Sequence, residues 1–205
     1  MPFQKQEILH MNHKKILRLT QGALIAALAF VVFQFLRFDI PVGTERTAVH
    51  LGNAVVVLGA LLLGGGWGGA AGAIGLTVAD LFSGYVTSAP KTFVLKLVIG
   101  LIVGLVSRRL FSIEKEESVK KQTRIALISS ACALACNVVL DPLFGYFYKT
   151  YLFGIPQDMA AALAKIGSLA TLTNAVISTV VVTVLWPALY TVLRRAGLLV
   201  WESGK

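Results

Sequence analysis

The chain is a succession of apolar runs, several approaching the ~17–25 residues that a helix needs to cross a bilayer. Its basic residues are gathered in the short segments between them. That alternation leaves few architectures open. Of 205 residues, 56% are hydrophobic and only 14% are charged, and the mean hydropathy is +0.76. Soluble globular domains carry about 25% charged residues. The expectation is a single integral membrane domain over residues 1–205, all-α, with no soluble domain.

The net charge of +9 invites a nucleic-acid reading, but its placement argues otherwise. The cations form three groups: Lys5, Lys14, Lys15 and Arg18; then Arg108, Arg109, Lys115, Lys120, Lys121 and Arg124; then Arg194, Arg195 and Lys205. Such clusters mark the cytoplasmic ends of spans. Six transmembrane helices, at about 16–36, 48–63, 68–85, 91–110, 124–148 and 166–194, put all three groups inside, with both termini in. Fusing the second and third helices across Gly64–Gly69 would send Arg108–Arg124 outside, so those glycines are read as an inner turn. They lack the Lys-Ser/Thr of a phosphate-cradling loop. The run Gly22–Leu36 has no convincing cleavage site after it and is read as an uncleaved span. Cys132 and Cys136, one helical turn apart in an apolar run, are expected to be free packing residues.

Polar residues interrupt the apolar runs, and the topology puts them in one leaflet. Lys96 lies inside the run Thr92–Val106. A cation at the centre of a span costs about 2.5–3.5 kcal/mol on insertion scales and normally faces the bundle interior. At about 1.5 Å rise per residue, Lys96, Asn174 and Asp141 fall in the outer third of the fourth, sixth and fifth helices. Asn137 lies one turn deeper than Asp141, and Asp80 is in the outer half of the third helix. His50 and Asn53 sit near the outer end of the second helix, with Lys91, Tyr85 and Tyr146 at the mouth. Together they read as a polar pocket open to the outside, suited to a small ring-bearing polar ligand.

Plainer readings stand beside this one. Lys96 pairs with Asp80 or Asp141 as a structural ion pair. Asn137 and Asn174 are interhelical hydrogen-bond bridges. Asp80 caps its helix or pairs with Ser83, and His50 caps the second helix. Tyr85 and Tyr146 belong to an aromatic belt, and Trp186-Pro187 makes a kink and an interfacial anchor. The first helix has two overlapping small-residue pairs, Gly22/Ala26 and Ala23/Ala27, which let another helix approach, either within the chain or from a partner. The outer segments 37–47, 83–90 and 149–165 are read as loops, the last long enough to act as a lid. No clear internal repeat is visible, which disfavours inverted-repeat carriers.

These residues carry a resemblance. The small-residue motif of the first helix, His50-Leu51-Gly52-Asn53 through Leu63-Gly64, Gly68-Gly69 through Ala79-Asp80-Leu81, and Ala89-Pro90-Lys91-Thr92-Phe93 with Lys96 resemble the substrate-binding S components of energy-coupling factor (ECF) vitamin transporters. The resemblance runs from about 16 to 194. It implies a six-helix S-component fold in a prokaryotic plasma membrane and capture of a water-soluble vitamin. The branch it looks most like handles precursors of pyridoxine or hydroxymethylpyrimidine type, with riboflavin as the alternative. It implies that the fourth, fifth and sixth helices supply most of the pocket, with the third contributing less regularly. Lys96, Asn137, Asp141, Asn174, His50, Asn53, Tyr85, Asp80, Lys91 and Tyr146 are then the candidate substrate contacts, under a cover of outer segments 37–49, 83–90 and 149–165. It implies docking of Gly22, Ala23, Ala26 and Ala27 on a membrane-embedded T component, driven by two cytoplasmic ATPases, with inward delivery by toppling. No cofactor or metal is implied, and the chain lacks the motifs to hydrolyse ATP itself. The other classes are a stand-alone carrier or channel, which needs polar residues through the whole bilayer, and an intramembrane enzyme, which needs a nucleophile–base pair or metal cluster. Of His10, His13 and His50 only the last lies near the membrane.

Overall fold

The computed structural model describes residues 2–42 and 45–202, with side chains described for 14–41 and 46–202; Lys5, His10, His13 and Lys205 lie outside the described side chains. Six α-helices lie among the described residues. They are α1 (Pro2–Phe35), α2 (Gly52–Leu63), α3 (Gly65–Phe82), α4 (Ala89–Gly104), α5 (Val119–Phe147) and α6 (Gln157–Arg195). Wider π turns extend α4 at Leu105–Leu110 and α5 at Tyr148–Leu152. Among the described residues four stretches are long and apolar enough to cross a membrane, namely Lys14–Phe35, Val86–Leu110, Val119–Leu152 and Gln157–Arg195.

The second helix is shorter than the sequence reading makes it. Residues 48–50 belong to an antiparallel hairpin, β1 (Arg37–Val42) with β2 (Glu45–His50), in the register Arg37↔His50 to Val42↔Glu45. Thr47 and Val49 are β-branched and tolerate a strand, and it is the pairing with Arg37–Val42 that makes it one. The 12 residues of α2 rise only about 18 Å, well short of the ~30 Å hydrocarbon core. The helix needs no more length, because it is buried along almost all of it. The hairpin supplies the remaining height at that end.

Only Gly64, at φ 92°, breaks α2 from α3; the rest of the glycine run is the first turns of α3. The two helices fold back as a hairpin whose closest approach is Gly59 against Gly68. A Cβ built on Gly68 would lie 2.0 Å from the Gly59 carbonyl oxygen. Gly69 likewise lies against Gly100 of α4, where an added Cβ would come within 2.9 Å of the Gly100 Cα. In a membrane, where lipid tails are as apolar as leucine, such close backbone packing is a main source of helix association.

The first helix divides its small residues between two neighbours. Ala26 lies under Gly75 of α3, so close that a Cβ on Gly75 would be 2.2 Å from the Ala26 carbonyl oxygen, and Gly22 faces Ala71 and Leu63. Ala23 and Ala27, on the other side of the helix, are exposed.

The two ends of the bundle differ. One end is basic. There Arg108 donates to the Leu61 and Leu62 carbonyls, pairs with Glu114 and lies over the Trp201 ring. Gln122, fully buried, donates to the Ile113 and Glu116 carbonyls, so the charged 112–123 connector is fastened to the bundle rather than freely solvated. Trp186 is wholly buried, its ring stacked on Tyr190 at 6.2 Å, so it is a core residue and not an interfacial anchor. Cys132 and Cys136 are free thiols. The other end holds the β hairpin and the polar residues described next.

Candidate functional site

The polar interruptions of the apolar runs converge on one cavity of about 150 Å³. Its wall includes Asn53 of α2, Asp80 of α3, Lys91 and Lys96 of α4, Asn137 and Asp141 of α5, Asn174 of α6, His50 of β2, and Tyr85 from the α3–α4 connection. Tyr146 is the one expected site residue that does not line it; its ring packs edge-on against Phe147 instead. His50 is placed at the end of a strand, not on a helix. All three segments expected to cover the site contribute. Arg46, Thr47 and Ala48 come from the hairpin, Ser88 from the α3–α4 turn, and Lys149 from the π turn. The expected 149–165 lid is mostly the first turns of α6, and Leu163, Ala164 and Gly167 line the cavity from there.

The bonding inside the cavity separates groups that are committed from groups that are not. Lys91 Nζ lies 2.9 Å from Asp141 Oδ1, and Thr171 donates to Asp141 Oδ2 at 2.7 Å. Thr92 donates to Asp80 Oδ2 at 2.5 Å. The structural ion pair considered for Lys96 is therefore made by Lys91. Lys96 is only 8% exposed and makes no ion pair or hydrogen bond to a described residue. Asn137 and Asn53, 2% and 1% exposed, each leave Oδ1 without a hydrogen-bond partner. An unsatisfied buried polar group costs about 1–3 kcal/mol, more when charged. Three such groups facing one cavity form a site arranged for hydrogen bonds that the chain does not itself supply.

Asn174 behaves differently. Its Oδ1 accepts from the His50 backbone N–H at 2.8 Å, and its Nδ2 donates to the Ala48 carbonyl at 2.9 Å. It ties α6 to the backbone of β2, so it bridges a helix to a strand rather than two helices. The Gly52 backbone N–H donates to His50 Nδ1 at 3.1 Å, which fastens the turn into α2. The hairpin is also held at its other strand. Arg37 donates to Asp39, Ser83 and Gln34 and lies over the Phe33 and Tyr85 rings. Tyr85 donates to Asp39 at 3.0 Å. Burial first, and then the Asp39 carboxylate, push its phenol up to about 12, so it is a neutral donor at any physiological pH. Ser83 bonds Gln34 rather than the Asp80 side chain.

Sequence reasoning passed over Thr92, Thr171 and Arg46. Hydroxyl residues in apolar helices usually bond their own turn four residues back. The signal that could have marked Thr92 and Thr171 is their helical spacing from Lys96 and Asn174 on the same faces. A channel needs an open polar path and a metal enzyme needs a ligand cluster. Among the described residues no group of three His, Cys, Asp or Glu could hold a metal.

A family model described as "ECF-type riboflavin transporter, S component" matches residues 13–191. No curated protein and no solved structure matches. The family description names riboflavin, so the first-choice substrate of the sequence reading, a pyridoxine or hydroxymethylpyrimidine type, gives way to its alternative. S components are the membrane-embedded, substrate-binding subunits of vitamin transporters and not enzymes. With nearly the whole chain matched and four apolar spans in place, this multi-pass membrane protein belongs to the ECF-type riboflavin transporter S component family.

Proposed function

We propose that the chain captures riboflavin, or a close flavin relative, in the cavity beneath the β hairpin and presents it for import through a prokaryotic plasma membrane. The observation that carries the reading is that the orphaned amide oxygens of Asn53 and Asn137 and the Lys96 side chain, which has no ion pair to a described residue, line one cavity. A flavin's ring system offers carbonyl and N–H groups to the amides, and its ribityl hydroxyls suit Lys96 and the Lys91–Asp141 pair. The cavity of about 150 Å³ is below the roughly 300 Å³ at which pockets for drug-sized ligands begin. A three-ring ligand therefore requires the hairpin or the start of α6 to move outward. The basic end is cytoplasmic by the positive-inside rule, so the cavity opens outward. A T component and two ATPases supply the drive, with the exposed Ala23/Ala27 face of α1 as the docking surface.

Titration of the purified protein with riboflavin tests the substrate, read by loss of flavin fluorescence. Saturable one-to-one binding that pyridoxine and hydroxymethylpyrimidine fail to displace is expected. Binding of only those smaller compounds would overturn the flavin assignment. Cysteine labelling at Ser112 and at Gln157, on a background lacking Cys132 and Cys136, tests orientation. The two should be reached from opposite sides, Gln157 from outside; labelling of both from outside would contradict it.

A further inference from the structure

At the basic end, opposite the cavity, a groove of about 460 Å³ runs between the start of the α1 span and the first turn of α3. Lys14, Lys15 and Arg18 form its rim, and Leu19 and Trp67 form its apolar wall. Leu19 and Trp67 are 58% and 52% exposed, so apolar surface lies directly beside three cations. Arg108 and Arg194, at the same end, are engaged by Glu114 and Glu117. None of Lys14, Lys15 and Arg18 pairs with a carboxylate among the described residues, and Arg18 Nε is buried without an acceptor. The groove lies beside the basic group Lys14, Lys15 and Arg18 that precedes the apolar run Gly22–Leu36, the flank that the positive-inside rule puts near the headgroups.

We propose that this groove is a binding site for an acidic phospholipid. The chemistry asks for one molecule with two ends. An anionic phosphate meets the three cations, Arg18 above all, and an acyl chain covers Leu19 and Trp67. Free phosphate satisfies only the rim. A neutral phospholipid satisfies only the wall, leaving the cations without a net counter-charge. Indole rings favour this depth of the bilayer, and each basic residue near an anionic surface contributes about 1 kcal/mol, or roughly fivefold in local lipid enrichment. With the basic end cytoplasmic, the lipid is one of the inner leaflet.

The test uses the full chain in phosphatidylcholine nanodiscs containing a minor share of brominated phosphatidylglycerol or, separately, brominated phosphatidylcholine. Bromine quenches indole on contact. The Trp67 signal is isolated by difference from Trp67→Phe, which keeps the buried Trp186 and the half-buried Trp201 as a common background. Brominated phosphatidylglycerol should quench Trp67 several-fold more than brominated phosphatidylcholine at equal mole fraction. Lys14→Gln/Lys15→Gln/Arg18→Gln should abolish that preference. Arg109→Gln/Lys120→Gln/Arg195→Gln removes the same charge from the same end without touching the groove, and should keep it. Flavin titration on each variant reports that the fold is intact. Equal quenching by the two lipids overturns the proposal. So does loss of preference in both triple variants, which would mean diffuse surface attraction. A Trp67 response to inorganic phosphate alone would make this a simple anion site and also overturn it. If the preference is absent but the groove triple variant lowers uptake at unchanged flavin affinity, the groove belongs to a partner subunit instead.

Discussion

Lys91 Nζ on α4 lies 2.9 Å from Asp141 Oδ1 on α5, and this pairing leaves Lys96, on the same helix as Lys91, with no acid of its own. The consequence is a division of labour. One lysine ties two helices together at the cavity mouth, and the other waits, buried, for an acceptor that is not part of the chain. The two side chains of the pair are 18% and 21% exposed. Breaking it should therefore cost less than the 3–5 kcal/mol of a fully buried pair, about 1–3 kcal/mol. Asp141→Asn alone should lower the thermal midpoint. Lys91→Met with Asp141→Asn should recover part of the loss, because the Lys91 charge is no longer stranded while Lys96 stays buried beside the neutral amide. A double variant no more stable than Asp141→Asn would show that the pair does not hold α4 to α5.

Asn174 fixes the cover to the wall through two hydrogen bonds, to the His50 N–H and the Ala48 carbonyl. Asn174→Ala leaves both backbone groups unpaired, worth about 1–3 kcal/mol each at full burial. Amide exchange over residues 45–50 should accelerate at least tenfold, and flavin should dissociate faster with little change in association. Unchanged exchange over the hairpin would place its anchorage elsewhere, at Arg37.

Gly68 and Gly66 sit in the same glycine run and should respond oppositely. A Cβ at Gly68 meets the Gly59 carbonyl at 2.0 Å, whereas one at Gly66 meets nothing within 4 Å. Gly68→Ala should force α2 from α3 and lose folded yield. Gly66→Ala should be neutral or stabilise by up to about 1 kcal/mol, the helix-propensity difference. Size-exclusion profiles and thermal midpoints of the two variants decide it, and equal tolerance would contradict the close helix crossing.

The first helix offers a similar contrast. Ala23 and Ala27 are exposed, whereas Ala26 lies beneath Gly75. Ala23→Trp and Ala27→Trp should block uptake with the T component and ATPases while flavin affinity stays within about twofold, because close approach is lost without touching the fold. Ala26→Trp should lower folded yield. Normal uptake by both Ala23→Trp and Ala27→Trp would remove this face as the docking surface.

Much of this was legible before any coordinates. Charges in the connectors located the helix ends, and polar residues in apolar runs located the cavity, because a membrane leaves so few places for either. The β hairpin was not legible. Residues 48–50 continue the apolar character of α2, and only pairing with Arg37–Val42 reveals them as strand. Nor could the sequence divide Gly22/Ala26 from Ala23/Ala27, since both pairs share one spacing and only the position of α3 separates them. The choice between Lys91 and Lys96 as the partner of Asp141 was hidden for a related reason. The two lysines lie five residues apart on one helix, and which of them reaches α5 depends on its rotation against that helix.

Lys96→Met tests the account most directly. The substitution keeps the aliphatic stem and removes the ammonium. If Lys96 exists to bind substrate, its charged hydrogen bond to the ligand is worth about 1.5–3 kcal/mol, roughly ten- to more than hundredfold in affinity. Because no carboxylate among the described residues is in direct contact with Lys96, and Asp141 keeps Lys91 and Thr171 while Asp80 keeps Thr92, the unliganded variant should fold with a thermal midpoint equal to or above that of the parent protein. Calorimetric titration with riboflavin alongside a thermal scan reads both quantities on one preparation. Weakened binding in a protein at least as stable is the predicted result. Unchanged affinity in a well-folded Lys96→Met protein would contradict the claim that this cavity is built around an unpaired lysine awaiting a ligand.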